Sequence, residues 1–134
     1  MIEAIIFDLD GTLWDSTGCA CDIWNRVLDR HDEINLKMTQ TMTEQLMGKT
    51  MEQYFADIEM SGRTGLDKGN NIKILMERNN IKTAVYIGDT EGDETAARFA
   101  GIPFIYAEYG FGTAQAPDAS IKNIREITEC IKGF

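Results

Sequence analysis

Two short apolar runs, each stopped by acidic residues, restrict what this chain can fold into. Ala4 to Leu9 carries Ile5, Ile6 and Phe7 and is ended by Asp10-Gly11-Thr12; Thr83-Ala84-Val85-Tyr86-Ile87 is ended by Gly88-Asp89. Unbroken apolar runs of this length are the pattern of parallel strands covered on both faces. Ile102 to Tyr106 makes a third such strand. Helical spacing falls between and after them. Ala20, Ile23, Trp24, Val27 and Leu28 follow a capping Ser16; Leu36, Met42, Leu46 and Met47 lead to Gly48; and Thr50 caps a short helix through Phe55. Ser61 to Gly69, with three glycines, reads as a loop before a helix bearing Ile72, Leu75 and Met76. Glu91 to Ala100 is a small-residue helix closed by Gly101, and a last helix is expected from Ser120 to Gly133 with Ile121, Ile124, Thr128 and Ile131 inward. Strands alternating with helices predict a parallel α/β sheet.

With 134 residues the chain has room for one ordinary domain. Its net charge of -9 and pI near 4.5 argue against nucleic acid or an acidic membrane surface as partner. An acidic protein handles an anionic substrate only if a metal ion or placed cations reverse the sign locally. No run approaches the ~18 apolar residues of a membrane span, and the N-terminus has no basic leader, so a cytoplasmic location is expected. Cys19, Cys21 and Cys130 suggest neither a disulfide framework nor a zinc site.

The chemistry lies where the apolar runs stop. Side chains alternate along a strand, so Asp8 and Asp10 are expected on one side. Like charges placed together call for a cation or a shared proton. Gly88-Asp89-Thr90-Glu91-Gly92-Asp93 repeats the arrangement at a second strand end. In parallel α/β sheets ligands bind at the carboxyl ends of strands, so neighbouring strands would bring Asp8, Asp10, Asp89 and Asp93 to one point. Hard oxygen ligands of this kind suit Mg²⁺. Lys68, in the glycine-rich loop, supplies an ammonium between the two acidic clusters in chain order.

Asp8-Leu9-Asp10-Gly11-Thr12-Leu13-Trp14-Asp15-Ser16 resembles the first signature of the haloacid dehalogenase superfamily, in its phosphoglycolate-phosphatase-like branch. Lys68 resembles the third signature and Gly88 to Asp93 the fourth, while Ala116-Pro117-Asp118-Ala119 and the closing helix also follow the family. Gln45 to Glu52 is similar to the helical cap inserted after the first strand. The resemblance implies a three-layer Rossmann-like core over 1–14 and 55–134, with a partial helical cap over 15–54. It implies an Mg²⁺-dependent phosphatase acting on a small phosphorylated metabolite, with Asp8 as the nucleophile that becomes an aspartyl-phosphate and Asp10 as acid then base. Lys68 would neutralise the nucleophile, Gly11, Thr12 and Lys68 would meet the phosphoryl group, and Asp8, Asp10, Asp89 and Asp93 would hold the metal.

The family's second signature, a buried strand ending in Ser or Thr, has no counterpart between Asp15 and Lys68; Ser61, after Phe55 to Met60, is the nearest stand-in. The chain reads as internally deleted between the cap and this segment. Strand one is then expected at the edge of the sheet, where an apolar edge invites pairing with another chain, so a homodimer or a domain exchange that covers it is expected. A Mg²⁺-binding remnant serving as a structural or interaction module is the alternative in a different class, and a phosphomutase using the same Asp8 and Asp10 is a third.

Overall fold

The computed structural model describes residues 2–13 and 55–134. Two compact units divide the chain, Met1–Asp15 with Glu59–Phe134 and Ser16–Ile58, and every element below belongs to the first. The helices expected between residues 16 and 54, together with Cys19 and Cys21, lie outside the described residues.

Four parallel strands form one sheet in the order β1 (Ala4–Phe7), β2 (Ala84–Gly88), β3 (Phe104–Ala107) and β4 (Ala119–Ile121). Register and side-chain alternation separate the apolar residues into two cores. Ala84, Tyr86 and Phe104 face Ile72 of helix α2 (Lys68–Arg78) and Ala96 and Ala97 of helix α3 (Glu91–Ala100). Val85, Ile87, Ile105 and Ile121 face the other way, onto Ile127 and, more peripherally, Ile131 and Phe134 of the C-terminal segment. The fold is thus the three-layer α/β arrangement, with helices on both sides of a parallel sheet.

Burial runs unevenly across the sheet. All five residues of β2 are buried, whereas all four of β1 are half-buried, because β1 has one strand neighbour and β2 has two. The first strand is therefore a sheet edge among the described residues.

Helix boundaries follow local chemistry. The Asp67 carboxylate caps α2 by accepting from the Asn70 amide at 2.8 Å, so Lys68 is the first residue of the helix rather than a loop residue ahead of it. The stretch expected as a loop also contains a helical turn, α1 (Ser61–Thr64), closed by Gly65 at φ 70°. Helix α3 ends where it was expected to, at Gly101, whose φ of 78° is left-handed.

The C-terminal reading needs correction. Ser120 does not begin a helix but pairs with Tyr106 in β4, and Ile121 lies opposite Ala107 at 1% exposure. The chain turns helical from Ile124, through a 3₁₀ turn (Ile124–Glu126), α4 (Ile127–Cys130) and a second 3₁₀ turn (Ile131–Gly133). Three residues per 3₁₀ turn instead of 3.6 shifts the phase. Ile127 is consequently the buried residue, while Ile124 and Thr128 are exposed.

Asp118 fastens the approach to β4. Its carboxylate accepts from the Phe104 amide at 2.7 Å and from Arg98 at 2.8 Å, and its own amide donates to Phe104. Burial pulls its pKa upward, but the Phe104 amide and Arg98 outweigh burial and hold the carboxyl below its ordinary range. A depressed folded-state pKa contributes stability that is complete above the unfolded value and is lost as pH falls through the folded one. Asp118→Ala is expected to destabilise by about 1 kcal/mol at neutral pH, with thermal melts of the two proteins converging as the pH is lowered below about 4; an equal gap at both ends would contradict this role.

Candidate active site

The carboxyl end of the sheet gathers the acidic residues. Asp8 follows β1 directly, its amide donating to the Ile87 carbonyl at 2.8 Å, so β1–β2 pairing places it beside the segment that carries Asp89 and Asp93. Ligand atoms of Asp8, Asp89 and Asp93 all lie within 4.8 Å of one another. Lys68, at the first position of α2, reaches across to donate to Asp8 at 2.8 Å and to Asp93 at 2.5 Å.

Each carboxylate is fixed by a different device. Asp93 sits in a capping box at the start of α3: it accepts from the Thr90 amide and hydroxyl, and its own amide donates to the Thr90 hydroxyl. It also accepts from the Asp89 amide at 3.1 Å and lies 3.5 Å from the buried Tyr86 hydroxyl. Asp89 is held from the loop after β3, accepting from the Phe111 amide at 2.7 Å and the Gly112 amide at 3.3 Å, with the Thr12 hydroxyl 3.5 Å away. Such donors fill the hydrogen-bonding capacity that a buried carboxylate loses when it leaves water.

Burial raises the pKa of Asp8, while the Lys68 hydrogen bond opposes the shift. For Lys68 burial works downward, but the bonds to Asp8 and Asp93 prevail and keep the ammonium protonated above its ordinary range. Burial, reinforced by Asp93, pushes Tyr86 upward, so its phenol stays neutral. Three carboxylates and one ammonium leave two uncompensated negative charges where Asp89 is 1% and Asp93 0% exposed. That charge and the all-oxygen donor set fit a hard divalent cation. Asp8, Asp89 and Asp93 are the described carboxylates close enough together to share it.

Asp10 is exposed and stands outside the group formed by Asp8, Asp89 and Asp93. Gly11 and Thr12 are buried against Asp89. Gly11 has φ 85°, and a Cβ there would overlap the Asp89 carboxylate. Ser61 lies on the exposed turn α1, and residues 55–60 form no strand, so no hydroxyl is presented at a strand end in this segment.

A family model described as haloacid dehalogenase-like hydrolase matches residues 5–83, more than half of the chain. The chain belongs to the haloacid dehalogenase-like hydrolases. The matched span contains Asp8, Asp10 and Lys68; Asp89 and Asp93 lie beyond it and are joined to them by the fold. A HAD-superfamily hydrolase, subfamily IA, variant 1, from Geobacter sulfurreducens is similar at 17% identity and a TM-score of 0.70, over 97% of this chain and 100% of that one. A Clostridium difficile protein classed provisionally as a phosphatase is similar at 16% identity and a TM-score of 0.59, over 97% of this chain and 98% of that one. At these identities the likeness is one of fold. No curated protein matches the sequence.

Sequence reasoning missed the loop Tyr109-Gly110-Phe111-Gly112, which supplies two amides to Asp89 and, through the Tyr109 hydroxyl, a 3.0 Å bond to the Thr12 carbonyl. Its signal was present: two glycines directly after a buried strand, at the sheet edge where ligands bind. A Cβ at Gly110 would overlap Asp89, whereas one at Gly133 would meet nothing. Gly110→Ala is therefore expected to cost about 1–3 kcal/mol, and Gly133→Ala less than about 0.5 kcal/mol, in urea unfolding; equal midpoints for the two variants would remove the steric argument.

Proposed function

We propose that this haloacid dehalogenase-like hydrolase is an Mg²⁺-dependent phosphatase that hydrolyses a small phosphomonoester through an aspartyl-phosphate on Asp8. The observation that carries this reading is the Lys68 ammonium bridging Asp8 and Asp93, with Asp89 in the same cluster at the carboxyl end of the sheet. The Clostridium difficile relative's description as a phosphatase agrees with it.

Asp8 attacks phosphorus through a carboxylate oxygen; the bond from phosphorus to the leaving oxygen breaks, and Asp10 gives that oxygen its proton. Water then attacks the acyl phosphate, Asp10 takes the water's proton, and the bond to Asp8 breaks to release inorganic phosphate. Lys68 opposes the upward pull of burial on the Asp8 carboxyl and lends positive charge to the transferring group. Asp8, Asp89 and Asp93 would hold the Mg²⁺, which when bound neutralises charge on the phosphoryl oxygens. The expected result is release of phosphate from 4-nitrophenyl phosphate that stops with EDTA and falls at least about 100-fold in Asp8→Asn. Turnover that survives Asp8→Asn removes Asp8 as nucleophile.

The lack of a strand-end hydroxyl in residues 55–61, among the described residues, favours one second reading, a module that binds Mg²⁺ at this cluster without turnover. A beryllium fluoride adduct on Asp8 would support the enzyme; Mg²⁺ binding without an adduct would support the module.

We also propose that two copies pair along β1, since its half-buried Ile5, Ile6 and Phe7 sit at the sheet edge among the described residues. Sedimentation at micromolar concentration is expected to give a dimer that Ile5→Lys converts to monomer. A wild-type monomer across that range would end the proposal.

A further inference from the structure

Three of the six exposed large apolar side chains among the described residues, Tyr109, Phe111 and Ile124, gather at one place. With Leu13 they line a cavity of about 410 Å³ whose remaining wall includes Lys122 and Asn123. A cavity of this size is at the small end of ligand sites, which run from roughly 300 to 1,000 Å³ and combine apolar walls with a few polar groups. It suits a single substituted ring.

The cavity adjoins the acidic cluster through shared backbone. Gly11 and Thr12, which belong to its wall, immediately follow Asp10, and the Phe111 amide is the group that holds Asp89. Tyr109 is not a loose flap, because its hydroxyl donates to the Thr12 carbonyl at 3.0 Å and so fixes the ring against the loop that carries Asp10. Aromatic walls offer a flat group stacking and edge contacts that an alkyl chain uses less well. Lys122 adds charge selection: among the described residues its ammonium has no carboxylate partner, on a chain whose net charge is -9.

We propose that this cavity receives the leaving group, and that the favoured substrates are aryl phosphates carrying a second negative charge on the ring, met by Lys122. The proposal rests on the phosphatase reading above, and its test separates the two. The probes are 4-carboxyphenyl phosphate, phenyl phosphate and 4-hydroxybenzoate, the product of the first; the variant is Lys122→Gln, which leaves the acidic cluster and Lys68 intact. Wild-type protein is expected to bind 4-hydroxybenzoate, with NMR shifts at the amides of Leu13, Tyr109, Phe111 and Ile124. Lys122→Gln should lower the ratio of kcat/KM for 4-carboxyphenyl over phenyl phosphate by about three- to fivefold, the worth of one exposed charge contact. Phenyl phosphate turnover should be unchanged, and intrinsic leaving-group reactivity cancels in the comparison. Phosphate release with no shift at those amides and an unchanged ratio overturns the cavity and leaves the phosphatase standing. Shifts at those amides with no turnover of any ester overturn the phosphatase, and with it the assignment of the bound ring as a leaving group.

Discussion

The buried carboxylate of Asp93 receives donors from several parts of the fold, and the positions of the other site groups follow from it. Thr90 fastens it at the start of α3, the Asp89 amide fixes the turn after β2, and Lys68 arrives from the start of α2. A charge at 0% exposure is costly unless its hydrogen-bonding capacity is filled by well-aligned donors. Those donors are backbone and side-chain groups of different elements, so satisfying one carboxylate sets the relation between two helices and a strand. Lys68 also donates to Asp8 at 2.8 Å and so ties the first strand to the same carboxylate group.

The small residues of the core make that convergence possible. Ala96 and Ala97 let α3 lie close on β2 and β3, and Ile72 fills the space between α2 and the sheet. The C-terminal segment covers the opposite face without entering the acidic cluster, and its Ile127, Ile131 and Phe134 bury Ile105, Ile121 and their neighbours. The helices that carry Lys68 and Asp93 thus also bury one of the two cores, while the second core lies on the other face of the sheet.

Much of this was legible in the sequence because the relevant signals are local. Unbroken apolar runs marked β1, β2 and β3, and Gly101 marked the end of α3 to the residue. Asp8, Lys68, Asp89 and Asp93 were legible as residues at strand or helix ends, and their meeting followed from parallel neighbours. What was not legible depends on partners far along the chain. Strand β4 has three residues and exists because β3 pairs with it, while isoleucines at 121, 124 and 131 imitate a helical face. The Tyr109 to Gly112 loop holds Asp89 through main-chain amides, which have no residue type to announce them. Lys68 was read one position too early because the Asp67 cap, rather than a glycine, starts the helix.

The position of β1 at the sheet margin gives the cluster a mechanical meaning. Among the described residues, Asp8 travels with a strand that is hydrogen-bonded along one side, whereas Asp89 and Asp93 are among the most deeply buried. Local opening begins at margins and loops, where little apolar surface is lost on release. Peeling β1 away would carry Asp8 off and leave Asp93 and Lys68 behind, so the 2.8 Å bond from Lys68 acts as a clasp between the first strand and the interior. Integrity of the N-terminal strand and assembly of the charged group are then a single equilibrium: whatever tightens the clasp protects the amides of residues 4–7 from exchange with solvent, and whatever loosens it disperses the site before the core melts.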